Sequence, residues 1–400
     1  LRDLLHKIIA DHTRGITKLG IPLSGGLDSG TIACIAARTM NNINKEIISV
    51  SSVLDQKFNH NDVADEMDFI QEILTHEKGI IPRYLYHTDQ DFHKDLEIKF
   101  KRQFSVINSN HYIDDGIFRH LKSCGVRRML TGVYGDFTAT NRLINPYPRL
   151  LLTGRLFALI KLIESDRIHS GLSLYSIVKS NIVLPLLPFV LREILFRLKH
   201  TPIKWGSEEL GLIPDEKERK EVQNRLMSDF RKHFLSDLNI LHNIWPAYHE
   251  PFYEEWDCES AHYGIEITYP MADRRLIEFL LSLPVEHFMA DGMKRGLIRK
   301  SMEGILPEKI RLRKGKITYS PGYHDILTKD KSKYLDTLNN ISRESPLNMY
   351  VNLAYLSKRL ESLLNRKNSI IFEGNYWNLI NTYLWVSFCK AIDEGQFHNN

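Results

Sequence analysis

Cysteine is scarce in this chain of 400 residues. Its four cysteines are Cys34, Cys124, Cys258 and Cys389. They lie far apart and none forms a Cys-x-x-Cys pair, so the sequence contains no typical zinc-binding pattern. Few and scattered cysteines are typical of proteins in a reducing compartment. We therefore expect a cytoplasmic location.

Long apolar segments and a strong excess of one charge are also missing. The most apolar stretch, Ile182 to Leu191, is too short to cross a bilayer and is interrupted by Pro185 and Pro188. The formal net charge is +4, without the basic clusters of a dedicated nucleic-acid-binding protein. Leu1 opens a helical pattern directly, so we expect no signal peptide. We expect neither a membrane nor a nucleic acid as a partner.

The sequence does contain a regular alternation of apolar strand patterns with helical patterns in its first third. Helical periodicity covers residues 1–14 and the stretch from Asp28 to about Met40. The segments that predict strands are Ile21–Leu23, Ile47–Leu54, Ile80–Leu85 and Val126–Leu130. This alternation predicts an α/β fold with a doubly wound parallel sheet, in which ligands bind beyond the carboxyl ends of the strands.

One turn in this pattern carries the residues of an anion-binding site. Directly after the first strand come Ser24, Gly25 and Gly26, and then Asp28 and Ser29 at the start of a helix. Adjacent glycines let backbone N–H groups approach an anion, and a helix N-terminus adds unpaired N–H groups with a partial positive charge. The two serines add hydroxyl donors. An aspartate among phosphate oxygens is suited to hold Mg²⁺, which is the role predicted for Asp28.

A second glycine-containing loop, Thr131 to Asp136, follows the last of these strands. An acid in such a loop is often only a turn former, but the position of this loop favours a function. Parallel strands bring their carboxyl ends to one edge of the sheet, so this loop is predicted to face the first across a crevice. Asp28 and Asp136 would then share one Mg²⁺ on the phosphates of a nucleotide.

After residue 150 strand patterns disappear, and helical patterns punctuated by prolines dominate. We therefore predict three parts: a nucleotide-binding α/β domain at 1–149, a helical lobe at 150–260, and a segment at 261–400 that completes the active site. The helices predicted in the lobe are Leu150–Ile163, Leu172–Val178, Phe189–Leu198 and Lys217–Phe234. The aromatic stretch from His249 to Trp256 is interpreted as packing rather than as a wall for the substrate.

Four motifs together resemble one known family. The turn from Ser24 to Ser29 resembles the Ser-Gly-Gly-x-Asp-Ser pyrophosphate loop of enzymes that split ATP between its α and β phosphates. The loop from Thr131 to Asp136 resembles Ser-Gly-x-Gly-x-Asp, and the segment around Glu266 is similar to Val-Glu-x-Arg-x-Pro. The chain also has residues that resemble a longer family signature, Gly…Lys…Leu-Arg…Leu-Pro…Arg-x-Lys…Phe-Ser. These residues are Gly292, Arg295, Arg299, Leu306, Pro307, Lys316, Tyr319 and Ser320. These motifs are those of the synthetase part of class II asparagine synthetases, whose relatives include β-lactam-type synthetases and, nearest in texture, lasso peptide macrolactam synthetases.

The resemblance implies ATP and Mg²⁺ as cofactors and gives roles to individual residues. Lys316 would contact the α-phosphate and the developing pyrophosphate, whose charge an ammonium group stabilises. Gly132 would approach the nucleotide through its backbone, and Val53 lies where relatives contact adenine. Glu266, together with Tyr134, is the candidate base that takes the proton of the attacking amine.

Two departures from the family pattern concern the second half-reaction. Relatives often carry an acid or a tyrosine directly after the glycine of the second loop, where this chain has Val133. Thr268 also stands where an arginine is common. Class II enzymes begin with a glutaminase domain that has an N-terminal cysteine, and no segment of this sequence resembles it.

The reaction expected from this resemblance is a two-step amide synthesis. A small-molecule or peptide carboxylate attacks the α-phosphate of ATP, and an amine or ammonia then displaces AMP from the acyl-adenylate. Ring closure within a precursor peptide is one version. Asparagine-type amidation, with ammonia or with nitrogen from a separate glutaminase domain, is the alternative. A third hypothesis is a non-catalytic nucleotide-binding partner subunit, which Val133 keeps open.

Overall fold

A parallel sheet with helices packed on it forms the centre of the chain, as predicted. The computed structural model describes residues 1–40, 45–55, 65–140, 145–188, 191, 209–222, 250–313, 322–365 and 375–395. The strands in these residues are β1 (Lys18–Pro22), β2 (Glu46–Val53), β3 (Ile80–Tyr86), β4 (Arg128–Leu130) and β5 (Glu266–Thr268). The α-helices up to β5 are α1 (Arg2–His12), α2 (Leu27–Met40), α3 (Met67–His76), α4 (Leu96–Gln103), α5 (His111–Ser123), α6 (Tyr147–Leu152), α7 (Leu156–Ser170), α8 (Leu174–Val178), α9 (Leu184–Leu186) and α10 (Glu250–His262). Those after β5 are α11 (Arg274–Ser282), α12 (Gly296–Ser301), α13 (Glu308–Arg311), α14 (Tyr323–Thr328), α15 (Lys331–Asn339), α16 (Leu347–Tyr350), α17 (Leu353–Leu364) and α18 (Asn375–Asp393).

The order of the strands in the sheet determines where a ligand can bind. The order is β3-β2-β1-β4-β5, and all neighbouring strands run parallel. The chain therefore builds outward from β1 in two directions, and the loops that follow β1 and β4 leave the sheet side by side. Such a reversal of strand order opens a crevice at the carboxyl edge of the sheet. Both glycine-containing loops leave at this point.

The observed strands agree with the sequence patterns, with one exception. The strand predicted at Ile47–Leu54 is β2, that at Ile80–Leu85 is β3, and the one predicted at Val126–Leu130 is the shorter β4. The edge strand β5 was not expected from the sequence. Its three residues are too few to show an alternating pattern, and none of them is buried.

Alternate residues of the strands enter two hydrophobic cores. Leu19 and Ile21 of β1 pack with α1 and α2, whereas Ile48 and Val50 of β2 pack with α5 in the other core. Both cores combine residues of the segments 1–149 and 261–400. The helix α10, which the predicted boundaries place in the helical lobe, adds Trp256 to the second of these cores. The division into three parts stays a prediction.

The helices between residues 147 and 186 form a smaller cluster. Tyr147 lies in its core, and its hydroxyl donates a hydrogen bond of 2.6 Å to Asp166. On the outer surface of α7, Phe157 and Ile168 are 84% and 79% exposed. The helices predicted at Phe189–Leu198 and Lys217–Phe234 lie largely outside the described residues. Among the described residues, no helix combines the length and the apolar character needed to cross a bilayer.

Candidate active site

The turn between β1 and α2 has the geometry of an anion-binding loop. Gly25 adopts a left-handed conformation with φ of 66°, which favours glycine and reverses the chain before the helix begins. The Oγ atoms of Ser24 and Ser29 lie 3.0 Å apart, and the Ser29 hydroxyl also accepts a 3.2 Å hydrogen bond from the backbone N–H of Ser24. The loop is thereby closed on itself, with the N-terminus of the 14-residue helix α2 at its end.

The second loop packs directly against the first. A Cβ atom on Gly132 would lie 2.7 Å from the backbone nitrogen of Ser29, and one on Gly135 would lie 2.5 Å from Oδ1 of Asp28. Distances this short exclude any side chain at the two positions, so glycine is required by close approach. The predicted meeting of the two loops is therefore observed, and Asp136 follows directly after the glycine that touches Asp28.

Three arginines from the C-terminal segment face the first loop. They line a cavity together with the loop and with the start of α2. The residues around this cavity are Ser24, Gly26, Leu27, Asp28, Ser29, Arg295, Arg299, Ile310 and Arg313. Burial lowers the pKa of Arg299 to about 10, and the charges of Arg295 and Arg311 add to this shift. The guanidinium groups offer hydrogen-bond donors to an anion, and part of their charge is balanced by acidic partners such as Asp136 and Glu66.

Each of these arginines is held in place by defined contacts. Arg313 forms an ion pair with Glu66, its Nη2 lying 2.9 Å from Oε1, and its guanidinium lies 3.9 Å from the centre of the Phe69 ring. Arg299 donates hydrogen bonds to the carbonyl oxygens of Arg311 and Arg313. The chain is therefore fixed up to residue 313. The predicted phosphate ligand Lys316 follows three residues later and lies outside the described residues.

The two predicted magnesium ligands have the right chemistry, and one of them has a cationic partner. Asp28 and Asp136 offer carboxylate oxygens, which Mg²⁺ prefers. Asp136 forms an ion pair with Arg295, whose own backbone is left-handed with φ of 62°. A metal bound to Asp136 would have to share this carboxylate with Arg295 or displace it. The donor set fits Mg²⁺, and the site stays a prediction.

Val53 is the last residue of β2, and its side chain has no exposed surface. It packs in the core with residues of α2 and β1. A nucleotide base at this strand end would therefore contact the backbone of Val53 rather than its side chain. The predicted adenine contact stays a prediction in that form.

Glu266 lies at the wrong edge of the sheet for the role predicted from the resemblance. It opens β5, where it is in register with Arg128, the first residue of β4. Its carboxylate accepts hydrogen bonds of 2.9 and 2.7 Å from the guanidinium of Arg128, and its side chain is 59% exposed. The phosphate loop and Tyr134 follow the carboxyl ends of their strands. The structure therefore does not bring Glu266 together with Tyr134 as a base.

Tyr134 instead meets two other tyrosines. Its ring stacks on that of Tyr253 from α10, with centroids 4.2 Å apart and an interplanar angle of 14°. Tyr269, the residue after β5, stands edge-on to both rings, at 5.7 Å from Tyr134 and 5.4 Å from Tyr253. Tyr134 has a left-handed backbone with φ of 73°, which is uncommon outside glycine. This position puts its ring on Tyr253 of α10 and against the core that contains α1 and α2.

Sequence reasoning missed part of this arrangement. Arg313 belongs to a basic run that, from sequence alone, reads as a solvated face. Tyr253 belongs to the aromatic stretch that was interpreted as packing. The available signal for Arg313 and Tyr269 was position in the family-like motifs: Arg313 lies three residues before Lys316, and Tyr269 lies just before the proline of the segment around Glu266. No such signal marks Tyr253.

Comparisons with known proteins identify the family of the chain. The model of the asparagine synthase family matches residues 1–387. "Asparagine synthetase [glutamine-hydrolyzing] 3" of Bacillus subtilis (strain 168) is 36% identical over 106 residues, which are 26% of this chain and 17% of the Bacillus protein. The matched part thus covers about a sixth of that relative. Its family consists of ATP-dependent carbon–nitrogen ligases. Because the family model extends over nearly the whole chain, the chain belongs to the asparagine synthase family.

Proposed function

We propose that this chain is an ATP-dependent synthetase that activates a carboxylate as an acyl-adenylate and transfers the acyl group to an amine. The observation that carries the proposal is the contact of the two glycine-containing loops beside an arginine-lined cavity at the N-terminus of α2. A site of this kind fits the pyrophosphate part of ATP, since backbone N–H groups, hydroxyls and guanidinium groups converge on one anion.

In the first step a carboxylate oxygen of the substrate attacks the α-phosphorus of ATP, and pyrophosphate leaves. Negative charge grows on the leaving pyrophosphate, where Arg295, Arg299 and Arg313 surround the cavity and Lys316 is proposed to add an ammonium group. Ser24 and Ser29 offer hydroxyl groups on the loop side. Mg²⁺ held by Asp28 and Asp136 would neutralise further phosphate charge when bound.

In the second step the nitrogen of an amine, in its neutral form, attacks the acyl carbon, AMP leaves with the electron pair of the broken C–O bond, and the nitrogen releases a proton to the solvent. Tyr134 stays the proposed residue for this step, because it lies in the loop that contacts the start of α2. The finer proposal is that carboxylate and amine belong to one peptide, so that the product is a ring. Incubation with a candidate precursor peptide and ATP should then lower its mass by one water.

A second candidate is amidation of the asparagine type, which the name of the Bacillus relative favours. The shared segment covers a small part of that protein, so its nitrogen source is carried over only as a hypothesis. Supplying ammonium chloride with L-aspartate and ATP tests it, since asparagine and AMP should then form together. A precursor peptide that closes while L-aspartate gives no asparagine would support the ring-forming version.

Exchange of radiolabelled pyrophosphate into ATP tests the first step directly. We expect exchange that depends on a carboxylate, and a loss of about a hundredfold or more in Asp28→Asn and in Arg313→Ala, since each removes a charged group from the phosphate site. Arg274→Ala is the matched control, because Arg274 pairs with Glu278 on the surface with its side chain 89% exposed. Binding of Mg-ATP without any exchange would favour the non-catalytic partner subunit instead.

A further inference from the structure

The second loop has two flanks of opposite chemical character. On one flank, Gly132 and Gly135 touch the start of α2, next to the arginine-lined cavity. On the other flank, the ring of Tyr134 packs with Tyr253 and Tyr269. The loop is only six residues long, so whatever binds beside the tyrosines lies within a few residues of the nucleotide site. A second reactant is needed there, because the acyl carbon must be reached by an amine.

The three tyrosines form a half-buried cluster, which we call the aromatic wall. All three rings are half-buried, which leaves part of each for contact with another molecule. Tyr134 and Tyr253 are joined by a hydrogen bond between their side chains as well as by stacking. Burial and the neighbouring hydroxyl raise the pKa of Tyr253, and burial together with Asp257 raises that of Tyr269. The phenols are therefore neutral at physiological pH, and their rings present electron-rich faces.

Carboxylates lie directly behind and beside this wall. Asp257, an exposed residue of α10, accepts a 3.2 Å hydrogen bond from the hydroxyl of Tyr269. Two buried acids, Asp114 and Glu255, lie deeper: Asp114 accepts a 2.8 Å hydrogen bond from Trp256, and Glu255 accepts two from the backbone N–H of Asn108. Burial raises the pKa of Asp114 to about 7 and that of Glu255 to about 8, so neither contributes a full negative charge at neutral pH.

The basic residues of this region are engaged by other acids. Arg119 forms an ion pair with Asp115, and Arg102 forms one with Glu259 at 2.8 Å. Lys99 lies 4.0 Å from Asp115 and is buried, so that burial lowers its pKa.

We propose that Tyr134, Tyr253 and Tyr269, with the carboxylate of Asp257, form the binding site of the amine substrate in its ammonium form, and that this amine is organic. This inference rests on the proposed function and names the chemistry of its second substrate. An ammonium group is attracted by the face of an aromatic ring and by a carboxylate, whereas an anion is repelled by both. The attached carbon chain would cover the apolar ring surface, which ammonia cannot do.

Ligand-observed NMR with n-butylammonium chloride as the probe tests the site without any turnover. Saturation-transfer titrations give its Kd for the full chain, and n-butanol serves as the neutral probe of similar shape. We expect n-butylammonium to bind the wild type and n-butanol to bind it at least about tenfold more weakly. In Tyr253→Leu the Kd of n-butylammonium should rise about tenfold, because the ring face is lost.

Matched variants distinguish the contribution of the ring to binding from that of the carboxylate and from any effect on folding. Tyr253→Phe keeps the ring and should stay within about twofold of the wild type, while Asp257→Asn should weaken binding several-fold although its side chain is on the surface. Tyr175→Leu removes a tyrosine that is 71% exposed in α8 and should change nothing. Mg-ATP binding by each variant shows that it is folded. Equal affinity for the two probes, or unchanged affinity in both Tyr253→Leu and Asp257→Asn, would overturn the inference.

Pyrophosphate exchange, measured on the same wild-type preparation, keeps the two proposals apart. If the wild type catalyses exchange but does not bind n-butylammonium, the amine site is wrong and the proposed adenylation reaction is still supported. If the wild type binds n-butylammonium but catalyses no exchange with any carboxylate tested, the proposed function is wrong and the tyrosines form a cation site unrelated to adenylation.

Discussion

The two flanks of the Thr131–Asp136 loop differ in chemical character, and we propose that they serve reactants of opposite charge. On the phosphate flank, close approach is made possible by the absence of side chains at Gly132 and Gly135. On the amine flank, the loop contributes a large side chain, Tyr134, from a left-handed backbone position. The glycines bring the loop backbone against the start of α2, and the ring of the tyrosine between them packs with other rings. Arginines and the acids Asp28 and Asp136 thus lie on one flank, and the aromatic rings with Asp257 lie on the other.

The largest effect is expected when a methyl group is added at Gly135, where the phosphate flank of the loop contacts Asp28. In Gly135→Ala the new methyl group would lie 2.5 Å from Oδ1 of Asp28, so either the loop or the carboxylate must move. We expect the affinity for Mg-ATP to fall about tenfold or more, and the free energy of unfolding to fall by about 1–3 kcal/mol, as is typical of overpacking. Calorimetric titration with Mg-ATP and urea denaturation measure the two effects.

The control for this variant is Gly125→Ala. Gly125 has φ of 72° with no atom within 4 Å of an added Cβ, so the substitution introduces backbone strain without a clash at the site. It should lower stability and leave nucleotide affinity unchanged. If the flanks are independent, Gly135→Ala also keeps its affinity for n-butylammonium. Loss of both ligands together would mean that the loop moves as one body and that the two flanks are not separable.

The flanks should also differ in how they respond to pH. Burial raises the pKa of Glu255 to about 8 and that of Asp114 to about 7, whereas Arg299 on the phosphate flank titrates only near 10. A carboxyl whose folded-state pKa lies above its unfolded value favours folding below the unfolded value. That contribution is lost as the pH rises through the folded-state pKa. The wild type should therefore lose stability between about pH 5 and pH 8.

Glu255→Gln tests the origin of this loss. The amide keeps a carbonyl oxygen for the N–H of Asn108 and removes the titration, so its unfolding free energy should decline less over the same range. Between pH 5 and pH 8 the unfolding free energy of the variant, relative to that of the wild type, should rise by about 1–3 kcal/mol. Urea denaturation at both pH values gives the result. Parallel curves for the two proteins would show that Glu255 is ionised throughout.

Features that depend on neighbouring residues could be predicted from the sequence. The phosphate loop is defined by Ser24 to Ser29 within one strand–turn–helix unit, and its position follows from local chemistry. The strand β2 was also clear, because it is eight residues long and rich in β-branched residues, whereas β3, which contains Pro82 and Arg83, was only a possible strand. Their carboxyl ends then fixed the edge of the sheet at which the second loop had to lie.

Features that depend on distant partners could not be predicted. Arg313 forms an ion pair with Glu66, which lies 247 positions away in the chain, and the sequence near either residue does not indicate this pair. Tyr253 and Tyr269 converge on Tyr134 from a helix and from a strand end that the sequence did not reveal. The misplacement of Glu266 has the same cause: in a three-residue strand, only the register with β4 decides which edge of the sheet a residue occupies.

The smallest effect is expected for Glu266, because it lies outside both flanks of the second loop. Its ion pair with Arg128 is largely exposed to solvent, and pairs of this kind contribute about 0–1 kcal/mol. Glu266→Gln should therefore change the unfolding free energy by less than about 1 kcal/mol, with pyrophosphate exchange and n-butylammonium affinity within about twofold of the wild type. An amide product that fails to form in this variant, while exchange continues, would return Glu266 to the amine step. It would also mean that β5 shifts during the reaction to bring this carboxylate to the other edge of the sheet.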